Sequence, residues 1–435
     1  MAEVTTTSPA QIQVLSARRR WWLRARTSFF WIFLVAFALR LAIIVIGHTY
    51  KFRTSDQNFG FGWEMGRIGR ALAAGRGFSD PFQELTGPTA WEPPLYPFLI
   101  AGVFKVCGIY SHASALVLLI INSIFSALTC IPIFLVAKRI FGEKVAVGSA
   151  WTWALLPYIT YWCTRWVWET SLSALLMTTI LLLVLRMHEK EGFKQWWQFG
   201  ALWGIAALNS PSLLSFLPVS GLWGWYHRWK AGKRSLGGVV LASLIFIGCI
   251  TPWLVRNHQT FGKWIFLRSN FGAELRMGNG PGADGTWMSF LHPTQNVYEM
   301  HLYERMGELA YVDQRKREAV SWIKEDPARF LLVSFKKFIY YWAGTPKTSE
   351  FPPPELKNSL FLASSILCFW GLGRALRQKK PGAWLLLLMI FSYPAVYYFV
   401  FPHARYRHPV EPVITILGVF LLCEAGKKRS RTASP

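Results

Sequence analysis

The chain is 435 residues long, 52% hydrophobic, 16% aromatic and only 16% charged, with a formal net charge of +24. Those proportions exclude a soluble enzyme of this size and suit apolar helices joined by short polar loops. The Lys and Arg excess falls in short clusters between apolar stretches, which argues for cytoplasmic loops and anionic headgroups and against nucleic acid.

In chain order, a basic start (Arg18, Arg19, Arg20, Arg24, Arg26) precedes an apolar run from Phe29 to Gly47, interrupted only by Arg40. About twenty such residues cross the hydrocarbon core as a helix. The run is too long for a cleavable signal and no small-residue cleavage site follows it. The positive-inside rule places residues 1–27 in the cytoplasm and opens an external loop at about 48–111. Within that loop Glu64, Met65, Ile68 and Leu72 share one helical face, and Gly75 and Gly77 close the helix. Pro93, Pro94 and Pro97 force an extended approach to a second short helix, about Leu95 to Val106.

Spans are expected at about 113–137, 145–163, 172–185, 197–208, 213–225 and 239–254. Lys138, Arg139, Arg186, Lys190, Lys194, Arg228, Lys230, Lys233 and Arg234 all fall on the inner side. Residues 256–343 are the long polar region, an extracytoplasmic loop. It carries turns at Gly278 to Gly285, an amphipathic helix at Tyr298 to Lys324, and an interfacial helix at Pro327 to Trp342 bearing Lys336 and Lys337. Spans near 360–372, 384–401 and 413–423 return Arg374, Arg377, Lys379, Lys380 and the basic tail 425–435 to the inside. The expected class is an all-α polytopic membrane protein of about ten spans, with a core at 28–255 and C-terminal helices at 344–424. The six cysteines are scattered without a CxxC pair and read as small buried hydrophobes, not as a disulfide framework or zinc site.

Polar groups that are costly near lipid collect outside. They are Asp56 and Glu64 in the first loop, Glu92 and Tyr96 around its prolines, and Glu169 at the outer end of the fourth span. Arg256 and Asn257 follow Pro252-Trp253, and the last outer loop holds His403, Arg405, Arg407 and Pro409. Arginines facing outward against the positive-inside bias suggest an anionic ligand, because guanidinium pairs bidentately with phosphate. Each residue also has an ordinary reading: an i, i+3 pair with Arg67 for Glu64, an Arg165 pair for Glu169, and headgroup snorkelling for the arginines.

Taken together, Gly75-Arg76-Gly77-Phe78, Pro93-Pro94-Leu95-Tyr96-Pro97, Pro252-Trp253 with Arg256-Asn257, and Arg405-Tyr406-Arg407 with Pro409 form a recognisable set. The sequence resembles the GT-C superfamily of membrane glycosyltransferases from about residue 28 to 423, in particular its protein-mannosyltransferase-like (family 39-like) and aminoarabinose-transferase-like members. The resemblance implies sugar transfer from a polyprenyl-phosphate donor to a lipid, glycan or protein acceptor outside a bacterial cytoplasmic membrane. It implies a first-loop carboxylate as base, and the family's commonest acidic position is Phe61 here. Asp56 keeps the residue type in a loop, whereas Glu64 has the firmer helical support. Arg256, Arg405 and Arg407 are the implied phosphate binders; Glu92, Tyr96, Glu169, Asn257 and His403 the implied substrate contacts. No carboxylate cluster demands a metal, and the resemblance leaves a divalent ion open. The alternative class is a transporter or lipid-linked-sugar flippase working at a helix break, for which Asn209-Ser210-Pro211 is the one comparable element.

Overall fold

The computed structural model describes residues 27–54, 59–83, 85–187, 189, 193–233, 235–346 and 354–432. Asp56, the N-terminal arginine cluster, Lys190 and Arg234 lie outside the described residues.

Helix α1 (Phe29–Ile46) leads into a loop that holds α2 (Trp63–Ala73) and α3 (Leu95–Cys107). Then come α4 (His112–Leu128), α5 (Cys130–Phe141), α6 (Glu143–Leu155), α7 (Pro157–Arg165) and α8 (Thr170–Arg186). The bundle continues through α9 (Lys194–Asn209), α10 (Leu217–Lys230) and α11 (Leu236–Phe261). The middle region folds as α12 (Phe271–Gly278), α13 (Val297–Met306), α14 (Glu308–Glu325) and α15 (Pro327–Ala343). Helices α16 (Pro354–Arg377), α17 (Ala383–Ser392), α18 (Ala395–Phe399) and α19 (Glu411–Thr432) complete the chain.

The protein is an all-α integral membrane protein, and a helix stands at each of the ten expected spans. Among the described residues five helical stretches are long and apolar enough to cross a membrane unaided: Phe29–Ile46, His112–Phe141, Leu236–Phe261, Leu356–Arg377 and Ala404–Gly426. The others are shorter or broken, and the breaks have local causes. Pro157 has no N–H to donate and pushes Leu156 into extended backbone, so the expected 145–163 span divides into α6 and α7. Arg40, buried in α1, donates to the Trp153 and Ala154 carbonyls at 3.2 and 3.0 Å, next to the position where Pro157 interrupts the ladder. It also donates to Ser126 at 3.1 Å, so one costly intramembrane cation ties three helices together. The expected amphipathic helix at 298–324 is likewise two helices, because Gly307 has φ 74° and Asn296 and Gly307 each start a new one.

Candidate active site

A cavity of about 900 Å³ opens where the first loop, the middle region and the 396–406 segment meet. Its wall brings together Glu64, Glu92, Glu169 and Glu274 with Arg268, Arg405, His292 and His403, set among Trp63, Trp91, Trp166, Trp168, Trp287 and Tyr406. The Asn209-Ser210-Pro211 break also reaches this cavity through Ser210, Pro211 and Ser212, so it forms part of this site.

Glu64 lies in the first turn of α2, where the helix dipole favours an anion. The turn is fixed by Gly62, whose φ is 79° and at which a Cβ would meet the Val167 carbonyl oxygen at 2.5 Å. Thr294 donates to Glu64 Oε1 at 2.9 Å, and Arg67 in turn donates to Thr294 at 3.2 Å. Arg67 thus reaches Glu64 through a threonine. His292 Nε2 faces the same carboxylate oxygen at 3.5 Å, while its Nδ1 accepts the Thr294 backbone N–H. Burial pushes the His292 pKa down, despite Glu64, so the ring is neutral with its proton on Nε2. Among the described residues both contacts of Glu64 are to Oε1, leaving Oε2 for the cavity that Glu64 lines.

Glu92 is buried, with Oε1 paired to Arg268 at 3.1 Å and Oε2 without a partner among the described residues. Burial, reinforced by Glu64 and Glu169, raises its pKa to about 8 against the opposing pull of Arg268 and Arg405. At neutral pH the carboxyl is therefore largely protonated. Arg268 also donates from Nε to the Trp91 carbonyl at 2.9 Å. Behind this pair sits Glu308, the first residue of α14. It accepts from the Ala90 N–H and Ser269 hydroxyl, each at 2.7 Å, from Tyr303 at 2.7 Å, and from the Thr89 hydroxyl. One buried carboxylate thus joins the segment before Glu92 to the segment after Arg268.

Arg405 stacks on Trp168, its Cζ 3.6 Å from the ring centroid, and touches the Tyr406 hydroxyl at 3.3 Å. It forms no ion pair among the described residues, and its buried Nε is unpartnered. Glu169 Oε2 is similarly unpartnered; Arg165 is exposed and does not pair with it. His403 faces the cavity while its Nδ1 accepts the Arg405 backbone N–H at 3.3 Å. Glu274 accepts from Asn270 at 3.0 Å, and burial raises its pKa although Arg268 and Arg405 oppose this. Orphaned buried polar atoms on the residues of a cavity wall call for partners that a ligand can supply.

Four expected site residues stand elsewhere. Arg407 is sealed in the bundle, paired with Glu411 at 2.8 Å and donating to the Trp342 and Phe361 carbonyls, Ser364 and Ser365. Residues 404–410 form a 3-10 turn with three residues per revolution, so positions 405 and 407 point to different sides. Arg256 donates to the Thr89 and Phe78 carbonyls at 2.6 and 2.7 Å, which clamps the first loop to α11. Asn257 is buried beside it and donates to the Ile265 carbonyl. Tyr96 is buried against Asn122 at 2.7 Å. None of the four lines the cavity. Arg268, Glu274 and His292 do, and sequence reading missed them. Their only signal was an arginine closing the aromatic run Trp264 to Phe266 in the middle loop.

Among the described residues no group of three or more His, Cys, Asp or Glu converges as a metal site. Residues 91–255, less than half of the chain, match the model of the dolichyl-phosphate-mannose-protein mannosyltransferase family. No curated protein matches by sequence. In structure the chain is similar to the oligosaccharyltransferase AglB from Archaeoglobus fulgidus, solved with an inhibitory peptide and a dolichol-phosphate. The TM-score is 0.53 at 14% identity, covering 92% of this chain and 50% of that one. The apo form of the Archaeoglobus fulgidus oligosaccharyltransferase gives 0.52 at 13% identity, with 92% and 51% covered. The chain therefore spans about half the length of these relatives, and the likeness is one of fold. The chain shares the membrane-enzyme fold of these oligosaccharyltransferases.

Proposed function

We propose that the chain is a membrane glycosyltransferase that moves a sugar from a polyprenyl-phosphate donor to a lipid, glycan or protein acceptor. The observation that carries this reading is the meeting, in one cavity, of a helix-mounted carboxylate (Glu64) with an arginine (Arg405) that makes no ion pair among the described residues. The acceptor hydroxyl gives its proton to Glu64 Oε2. Its oxygen then attacks the anomeric carbon on the face opposite the phosphate, inverting that centre by the geometry of inverting sugar transfer. As the bond from the anomeric carbon to the phosphate oxygen breaks, its electron pair passes to the lipid phosphate. Arg405, with Arg268 lining the same cavity, stabilises the charge that develops there. Protonated Glu92 donates a hydrogen bond from its free oxygen to the donor.

In this reading the cavity faces away from the cytoplasm of a bacterial cell, in its cytoplasmic membrane, with both termini inside. Glu64→Gln is expected to lower turnover by roughly a hundredfold or more, the usual scale for a general base. Full activity in Glu64→Gln with loss in Asp56→Asn would move the base to Asp56, and full activity in the double variant would remove both.

A further inference from the structure

The chain enters α2 through two successive residues with positive φ, Gly62 at 79° and Trp63 at 35°. A bulky aromatic residue rarely adopts that backbone, and such strain gathers at functional positions. Phe59 holds Trp63 edge-on at 4.2 Å between ring centroids. The result is a half-exposed indole on the cavity wall, adjacent to Glu64. Trp287 approaches from the middle region, its Nε1 tied to Met277 Sδ at 3.3 Å, and it too is half-exposed in the cavity. The two ring centroids lie 6.2 Å apart at 42°, an open corner, and both residues line the cavity. His292 closes the corner, 5.7 Å from Trp287. Thr286, Ser289 and Gln295 add hydroxyl and amide groups to the same wall. Trp91, by contrast, is buried, and Trp253 lies outside the cavity.

A sugar ring has an apolar face of C–H bonds and a rim of hydroxyls. The negative face of an indole attracts the former, and a carboxylate accepts from the latter. We propose that Trp63 and Trp287 form a saccharide subsite that stacks a hexose or pentose ring and presents it to Glu64. This rests on the glycosyltransferase reading and gives it a place for the sugar. The ring belongs either to the donor or to a glycosidic acceptor, and the two sources separate by experiment.

The full chain in lipid nanodiscs is titrated with polyprenyl-phosphate mannose, polyprenyl-phosphate glucose and sugar-free polyprenyl phosphate. Methyl hexosides and pentosides serve as acceptors. If the donor sugar stacks there, Trp287→Leu and Trp63→Leu reduce the affinity ratio of sugar-bearing to sugar-free lipid on the order of tenfold, about 1.4 kcal/mol. Trp287→Phe keeps most of the ratio. If the acceptor sugar stacks there, donor binding is unchanged and the KM for the methyl glycoside rises by a similar factor. Because both lipids are measured on one preparation, loss of folded protein cancels from the ratio. Leu variants that keep both the wild-type ratio and the wild-type KM overturn the subsite. Failure of the broader reading shows instead in the unmodified protein, as equal binding of all three lipids with no transfer, and removes the subsite with it.

Discussion

Arg405 and Arg407 are two positions apart in one turn, yet one guanidinium faces the cavity and the other is sealed among carbonyls of α15 and α16. Their loss therefore has different consequences. Arg405→Ala is expected to weaken donor binding by about 1.5–3 kcal/mol, the worth of a charge-assisted contact, with little change in melting temperature. Arg407→Ala leaves Glu411 buried and unpaired, which costs on the order of 3–5 kcal/mol of stability. Its folded fraction keeps donor affinity. Thermal melts and donor titrations on both variants check the pair; equal loss of affinity in Arg407→Ala contradicts the assignment. Glu92 adds a pH signature. Its folded pKa is raised to about 8, so the neutral, donating form is present below that value and lost as pH rises through it. Above pH 8 a charged Glu92 repels the donor phosphate, so donor affinity falls there. Glu92→Gln, which keeps an uncharged hydrogen-bond donor, flattens that limb; an unchanged alkaline limb in the variant contradicts the role.

At the scale of elements, the cavity depends on short segments that have no stability of their own. Glu308 holds residues 89–90, 269 and 303 together, and the groups it would orphan are buried. Glu308→Ala is expected to lower activity at least tenfold, since each unsatisfied buried group costs about 1–3 kcal/mol. Glu308→Gln recovers part of the activity. The alkaline limb set by Glu92 also shifts in the variants, because the segment beside Arg268 loses its anchor at Ser269; a fall in activity with that limb unmoved points to a merely structural role. How far these elements were legible varied with their cause. The α2 face carrying Glu64 followed from 3.6-residue periodicity, and α3 and α15 followed from proline placement and apolar spacing. The division at Gly307 and the 3-10 turn at 404–410 did not, because single-residue φ and a change of helical pitch leave little trace in hydrophobic pattern. Arg268, Glu274 and His292 were hidden for a different reason. They reach the cavity only through long-range docking of the middle region, held by Glu308, and no local spacing encodes that. The middle region forms one wall of the cavity.

For the whole molecule, the membrane class and the ten helical segments were legible because hydrocarbon thickness dictates segment length directly. Which segments cross alone was less so: Pro157 divides a run that looks continuous in composition, whereas the Asn209-Ser210-Pro211 break was legible as such. Orientation is testable at two points. A tag inserted after residue 285 is expected to be external and one after residue 378 cytoplasmic, as the positive-inside rule requires. Reporter activity on the same side at both points contradicts the arrangement. In the proposed reaction Glu64 and Arg405 serve one sugar transfer. Its most direct measurement follows a polyprenyl-phosphate sugar, labelled in both sugar and lipid, with purified protein and acceptor. One free polyprenyl phosphate is expected for each sugar transferred, with loss of both products together in Glu64→Gln. Intact donor recovered after incubation with active-site-competent protein, or its movement across the bilayer without cleavage, would contradict it.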